Sequence, residues 1–335
     1  MELPISACLK EICCLPRNKG GMGGYSFKNQ AEKLRLVKRC AMLHSKDDEI
    51  TQVRKESEKL NIEIDEILVS QPSKRQATII LDNRHVQAAW IHLNSLVIQG
   101  QSVSTIVAEI NKKDIEFWAK VLERCSNTIF NFAHKALLQV LPTAANLARW
   151  KKLPDPNCQL CKLGHKQTNK HVLSSCPSQT ALQRFTLRHN EVLLLIVSWL
   201  RSVISATQEL YADIEYTSYS STSELFNSLR PDIAILDLNT VTILELTICH
   251  ETNLHKSKSY KLDKYKNIVS CCSSKSLGKT ISIYTIEVST IGLISKTQEF
   301  TDAVGLPRIP PNLKERITRT VLDSSYKIYC GRNNA

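Results

Sequence analysis

A chain of 335 residues with 42% hydrophobic and 23% charged side chains has the makeup of a folded protein and excludes a wholly disordered one. Lysine and arginine outnumber aspartate and glutamate by 44 to 32, and the excess is uneven: residues 1–180 carry 26 basic and 17 acidic side chains, residues 181–335 carry 18 and 15. The longest apolar stretch, residues 192–200, is far shorter than the about 20 residues that span a bilayer, so no membrane association is expected.

Residues 1–10 lack the long apolar core of a secretory signal, so the twelve cysteines point to a reducing compartment and not to a disulfide framework. The basic first half suits a polyanionic partner, because phosphates attract lysine and arginine and release counterions on binding. Residues 15–24 are rich in glycine and turns. Residues 28–60 are highly charged, with Leu34, Leu36, Val37, Cys40 and Leu43 forming a helical apolar stripe. Residues 61–76 are amphipathic and end in a polar stretch that reads as a loop, and helical patterning then dominates residues 86–150. Pro154 and Pro156 break it and introduce a cysteine cluster. Residues 181–205 read as a long amphipathic helix, 228–248 as strand–turn–strand, 254–269 as a helix with Leu254, Leu262, Tyr265 and Val269 on its inner stripe, and 280–288 as a strand. The expected fold class is α/β: a helical region, a small zinc knuckle, then a mixed sheet flanked by helices.

Cys158, Cys161, His171 and Cys176 follow a Cys-x2-Cys-x9-His-x4-Cys spacing. The first pair can grip one ion from a tight turn, and the His–Cys pair completes a tetrahedron from about one helical turn. Four such ligands leave no open position, which is the pattern of structural Zn²⁺. His165 is an alternative third ligand; the four-residue gap to Cys176 favours His171.

The strand–turn–strand carries the acidic chemistry. With the turn centred between Leu238 and Asn239, paired residues have numbers summing to 477, which sets Asp232 opposite Glu245 on one sheet face, Cβ atoms about 4.5–5.5 Å apart. Two carboxylates so placed repel unless a cation lies between them, and Mg²⁺ or Mn²⁺ suits the oxygen ligands. Ile233, Ile235, Leu244, Leu246 and Ile248 are expected on the opposite face. On the following helix, Lys261 and Lys264 are candidates for a catalytic cation, or else members of a solvated lysine face. His189 falls at helical spacing between Phe185 and Leu193, as a packed histidine would. Tyr211-Ala212-Asp213-Ile214 looks like a polymerase metal motif but lacks the second acid.

These landmarks occur in an order that resembles the C-terminal part of a non-LTR retrotransposon polyprotein of the restriction-like-endonuclease type. Leu15-Pro16 through Gly23 is similar to the start of the thumb, residues 141–158 to the approach to the zinc knuckle, and the Cys-Cys-His-Cys cluster, Arg188-His189, Arg230-Pro231-Asp232, Glu245-Leu246-Thr247 and Lys261/Lys264 follow. The resemblance implies a thumb remnant at 1–25, a helical linker at 26–150, a knuckle at 151–180 and a PD-(D/E)xK endonuclease at 181–335. It implies a nuclear enzyme that nicks target DNA to prime reverse transcription, with the element's RNA as a further partner and no polymerase palm in this chain. Asp232 and Glu245 resemble the metal-binding acids, Lys261 or Lys264 the catalytic lysine, and Arg188 and His189 the basic–His pair. Asn190 stands where the family commonly has Asp, and Thr247 where many such nucleases have lysine. The alternative is a zinc-dependent nucleic-acid-binding module whose nuclease fold is inactive.

Overall fold

The computed structural model describes residues 10–24, 26–59, 66–214, 226, 230–274, 279–295 and 297–334. They divide into two compact units, 8–97 and the chain from residue 98 onward.

The first unit is helical. α1 (Phe27–Leu43), the short helix Glu66–Val69 and α3 (Lys74–Ser95) carry its described core, in which Leu36, Cys40, Ile67, Leu68, Ala77 and Leu81 are buried, and α2 (Asp48–Lys59) adds no residue to it. Of the expected stripe, Leu36 and Cys40 face inward and Leu34 lies exposed. The polar stretch anticipated as a loop up to residue 76 ends at Ser73. There Ser73 and Gln76 form a reciprocal capping box that draws Lys74, Arg75 and Gln76 into α3. Residues 61–65 of the expected amphipathic stretch lie outside the described residues.

The second unit is built on one four-stranded mixed sheet. Its helices α4 (Gln101–Glu109), α5 (Lys112–Glu123), α6 (Asn127–Leu137) and α7 (Ala144–Arg149) precede the cysteine cluster, and α8 (Gln179–Val203) follows it. Then come β1 (Glu209–Ala212), β2 (Ile233–Leu236), β3 (Thr240–Cys249), α9 (Leu254–Ser274), β4 (Thr280–Ser289), α10 (Gln298–Ala303) and α11 (Pro311–Cys330). The sheet runs β1-β2-β3-β4, antiparallel except for the parallel β3–β4 pair, whose crossover contains α9. Helices α4 to α7, which the sequence groups with a linker, belong to the same compact unit as the cluster and the sheet.

The β2–β3 register runs from Ile233↔Leu244 to Leu236↔Val241, and every pair sums to 477. Alternation then separates two faces. Ile233, Ile235, Leu244 and Leu246 pack with Ile286 and Val288 against α8 and α11, through residues such as Val192, Ile196, Leu200, Ile317 and Val321. Each such side chain, fully buried, stabilises by about 1.5–3 kcal/mol. Ala234, Val241 and Ile243 point the other way and pack with Tyr265 of α9.

Three elements of the sheet unit lie outside the sequence expectation: β1, the short α10 and α11. β1 is a four-residue edge strand, too short to show alternation, and it absorbs the Tyr-Ala-Asp-Ile segment: Tyr211 pairs with Ala234, and Asp213 accepts from Arg230. α11 carries Leu313, Ile317, Val321 and Ile328 inward, but Thr318, Ser324 and Ser325 are buried beside them and dilute the apolar stripe. Beyond β4 the chain turns at Gly292, whose φ of 81° belongs to the left-handed region and whose missing Cβ would stand 2.8 Å from the Thr318 carbonyl oxygen. Among the described residues, no helix is long and apolar enough to cross a membrane.

Candidate metal centre and acidic site

The cysteine cluster is assembled by local geometry. An antiparallel bridge between Asn157 and Lys166 opens a tight loop in which Cys158 donates its N–H to the His165 carbonyl at 2.8 Å. Lys162 and Gly164 take positive φ at its tip, which brings Cys161 back beside Cys158. A π-helical turn, His171–Ser175, presents His171 at its start and delivers Cys176 at its end. Ser178 then caps α8 by accepting the Ala181 N–H.

The four ligand atoms lie within 4.8 Å of one another. Cys158 Sγ and Cys176 Sγ are 3.9 Å apart, and Cys161 Sγ is 3.6 Å from His171 Nε2. A tetrahedral site with metal–sulfur bonds of about 2.3 Å separates its sulfurs by roughly 3.8 Å, so the cluster could hold a metal ion such as zinc. His165 stands outside it, exposed, with its ring 5.7 Å from that of His171. Burial keeps the His171 pKa below its ordinary value, which favours the neutral imidazole a metal needs. At Cys158 burial pushes the thiol up, but the N–H groups of Cys161 and Leu160 outweigh it and the thiol is held below its usual range. Burial raises Cys176.

The acidic site is assembled over a longer range, from α8, β2, β3 and α9. The β2–β3 register, continued, sets Pro231 opposite Leu246. The ladder stops before it, at Ile233↔Leu244, and proline has no N–H with which to resume it, so both backbone groups of Leu246 turn to side chains. Its N–H donates to Asp232 Oδ2 at 2.8 Å, and its carbonyl lies 3.3 Å from His189 Nε2. His189 Nε2 is also 3.5 Å from Asp232 Oδ2, so a proton on that nitrogen serves both oxygens.

Glu245 has no exposed side-chain surface. It compensates by accepting from three directions: the Asp232 N–H at 3.1 Å, the Tyr265 hydroxyl at 2.6 Å and the Lys261 ammonium. Lys261 Nζ also lies 3.6 Å from Asp232 Oδ2. One lysine thus bridges both carboxylates, where like charges alone would repel. Burial works to raise Asp232, but His189, Lys261 and the Leu246 N–H outweigh it and keep the carboxyl below its usual range. His189 is raised, because Asp232 outweighs the burial that would lower it. Lys261 is raised for the same reason by Asp232 and Glu245. At Asp232, His189 and Lys261 the shifts all favour the charged form.

The two helix lysines part company here. Lys264 Nζ lies 3.1 Å from the Tyr265 hydroxyl and over its ring, one step behind the group that reaches Glu245. Arg188 is not brought to the acids. It is 1% exposed and donates to Ser325 Oγ and to the Leu173 carbonyl, both at 2.9 Å, tying α8 to α11 and to the π-helical turn. Burial pushes its pKa down to about 10. Asn190 offers its Oδ1 to His189 Nδ1 at 3.2 Å. Tyr265 is the site residue that sequence reasoning placed only in the core. Its four-residue spacing from Lys261 puts the two side by side on α9, and that spacing is the signal.

No protein-family model and no curated protein matches this chain.

Proposed function

We propose that this chain is the endonuclease part of a non-LTR retrotransposon polyprotein of the restriction-like-endonuclease type: a nuclear, metal-dependent PD-(D/E)xK nuclease that nicks target DNA. The observation that carries the reading is the convergence of Lys261 on Asp232 and Glu245. An ordinary hairpin with solvated acids has no need to bury a carboxylate completely and surround it with an ammonium, a phenol and an amide.

The donor set suits a hard divalent ion, since Asp232 and Glu245 offer only oxygens in a place already balanced by positive charge. Mg²⁺ or Mn²⁺ held by these two residues would supply an activated water and neutralise charge on the phosphate. The protein's own groups prepare the rest. Tyr265 and the Asp232 N–H fix the Glu245 carboxylate, and the Leu246 N–H and His189 fix that of Asp232. Lys261, kept protonated, is placed to donate to a phosphate oxygen as negative charge builds there. Zn²⁺ in the Cys158–Cys161–His171–Cys176 cluster would be structural, because four protein ligands leave no open position. The knuckle and the basic first half of the chain are the surfaces offered to DNA and to the element's RNA.

The test is nicking of supercoiled plasmid by the purified, zinc-loaded chain with Mg²⁺ or Mn²⁺, beside Asp232→Ala and Glu245→Ala. Expected is metal-dependent nicking that falls by at least about 100-fold in either variant. A folded, zinc-loaded protein that binds DNA and never nicks it would overturn the reading and leave a binding module.

A further inference from the structure

The acidic site opens on one side into a pocket of about 540 Å³ lined by Thr247, Lys256, Ser257, Tyr260 and Lys261. Thr247 follows Glu245 by two positions on β3, so it shares the face of that carboxylate, roughly 7 Å along the strand. Lys261 belongs to both places, since it lines the pocket and bridges the two acids. The outer wall is α9. There Tyr260 is 70% exposed, and its ring meets no other ring among the described residues. Lys256 stands four positions earlier, hence on the same helical face, and is exposed as well. The other lysines of α9 are engaged: Lys258 with Glu299, Lys261 with the site acids, Lys264 with the Tyr265 hydroxyl and Lys266 with Asp263. Lys256 has no such partner among the described residues. An aromatic face open to water, an unpaired ammonium and a hydroxyl, one step from the acids, match a ligand with a flat apolar face and an anionic group.

We propose that this pocket holds one unpaired nucleobase of the strand being cut, stacked on Tyr260, with a flanking phosphate on Lys256. Stacking on an aromatic side chain tolerates any base, because every base has a π face. In a duplex both faces of a base are covered by its neighbours, so only a base that has left the helix can reach the ring. Tyr260 is therefore a specificity residue: it makes the site favour DNA that is single-stranded or locally opened at the cut. Lys256 adds attraction for the backbone without choosing a base. The inference deepens the nuclease reading and rests on it for the strand that enters; the stacking surface rests on α9 alone.

The experiment measures binding of the full zinc-loaded chain, without added Mg²⁺ or Mn²⁺, to a fluorescent single strand, to its duplex, and to that duplex with an unpaired bubble. The wild type is expected to prefer the single strand and the bubble. Tyr260→Ala is expected to lower both affinities by about tenfold, the size of one stacked base, and the duplex affinity by far less. Tyr260→Trp keeps a stacking face and should retain the preference. Lys256→Ala should weaken all three alike and flatten their salt dependence. With Mg²⁺ added, the bubble should be nicked faster than the duplex, and Tyr260→Ala should erase that advantage. Equal wild-type affinity for duplex and bubble overturns the proposal, as does a Tyr260→Ala variant that loses all three substrates equally or none. Either result with nicking intact leaves the nuclease reading standing. A bubble preference that depends on Tyr260, without nicking of any substrate, upholds the pocket and removes the nuclease.

Discussion

The cysteine cluster and the acidic cluster are both places where this chain gathers groups that favour a cation, and they are built in opposite ways. The cysteine cluster draws its ligands from residues 158 to 176, positions them with one loop and one helical turn, and closes on itself. The acidic cluster draws on residues 189, 232, 245, 261 and 265, from two helices and two strands, and stays open on the side of α9 where Thr247 and Lys261 meet the pocket. A local, closed site can be specified by spacing alone. A dispersed one exists only once the sheet has its register.

The contrast predicts different failures. The largest is expected from removing the metal or a ligand at the closed site. Chelation, or Cys176→Ser, removes binding energy that is of order 10 kcal/mol in isolated zinc peptides, so thermal denaturation should show the knuckle lost. An unchanged melting curve after complete zinc removal would show that the cluster needs no ion. At the open site the effect should fall on rate. Lys261→Ala is expected to cut nicking by about 100- to 1,000-fold, while Lys264→Ala, one step removed, should change it by no more than about threefold. Equal losses in the two would erase the distinction drawn between the lysines.

Tyr265→Phe comes next. It removes a hydrogen bond to a buried carboxylate, worth about 1.5–3 kcal/mol, and should lower stability in urea by that amount; a neutral result would mean Glu245 does not depend on it. The smallest effect belongs to His134, which lies outside both sites on α6. Burial lowers its folded pKa below the ordinary 6.5, so the folded state resists a proton that the unfolded chain accepts. Its contribution is whole above pH 6.5 and is lost as the pH falls toward the depressed folded value. Melting temperatures measured from pH 7.5 downward should therefore fall less steeply in His134→Gln than in the wild type, and parallel slopes would remove this histidine from the account.

What could be read from the sequence follows the same division. The order Cys-x2-Cys-x9-His-x4-Cys picks out the four residues that cluster, because their geometry is set within a few residues of chain. The hairpin register was legible as well, since the turn fixes which residues pair and alternation fixes the faces. The partners brought from elsewhere were harder. Nothing in the spacing distinguishes Lys261 from Lys264 until the α9 crossover sets one toward Glu245 and the other toward Tyr265. Arg188 and His189 are adjacent in sequence, yet only His189 reaches the acids. Thr285 and Glu287 sit in what reads as an ordinary strand, and their place beside Glu245 and Thr247 depends on a parallel neighbour contributed from about forty residues earlier in the chain.

That divergence of Arg188 and His189 has a mechanical consequence. Neighbours on a helix point about 100° apart, and here one grips the turn that carries His171 while the other steadies Asp232. α8 is thus a shared axle. One helix supports both ends at once: through adjacent residues it holds the turn that presents His171 and the carboxylate that faces Lys261.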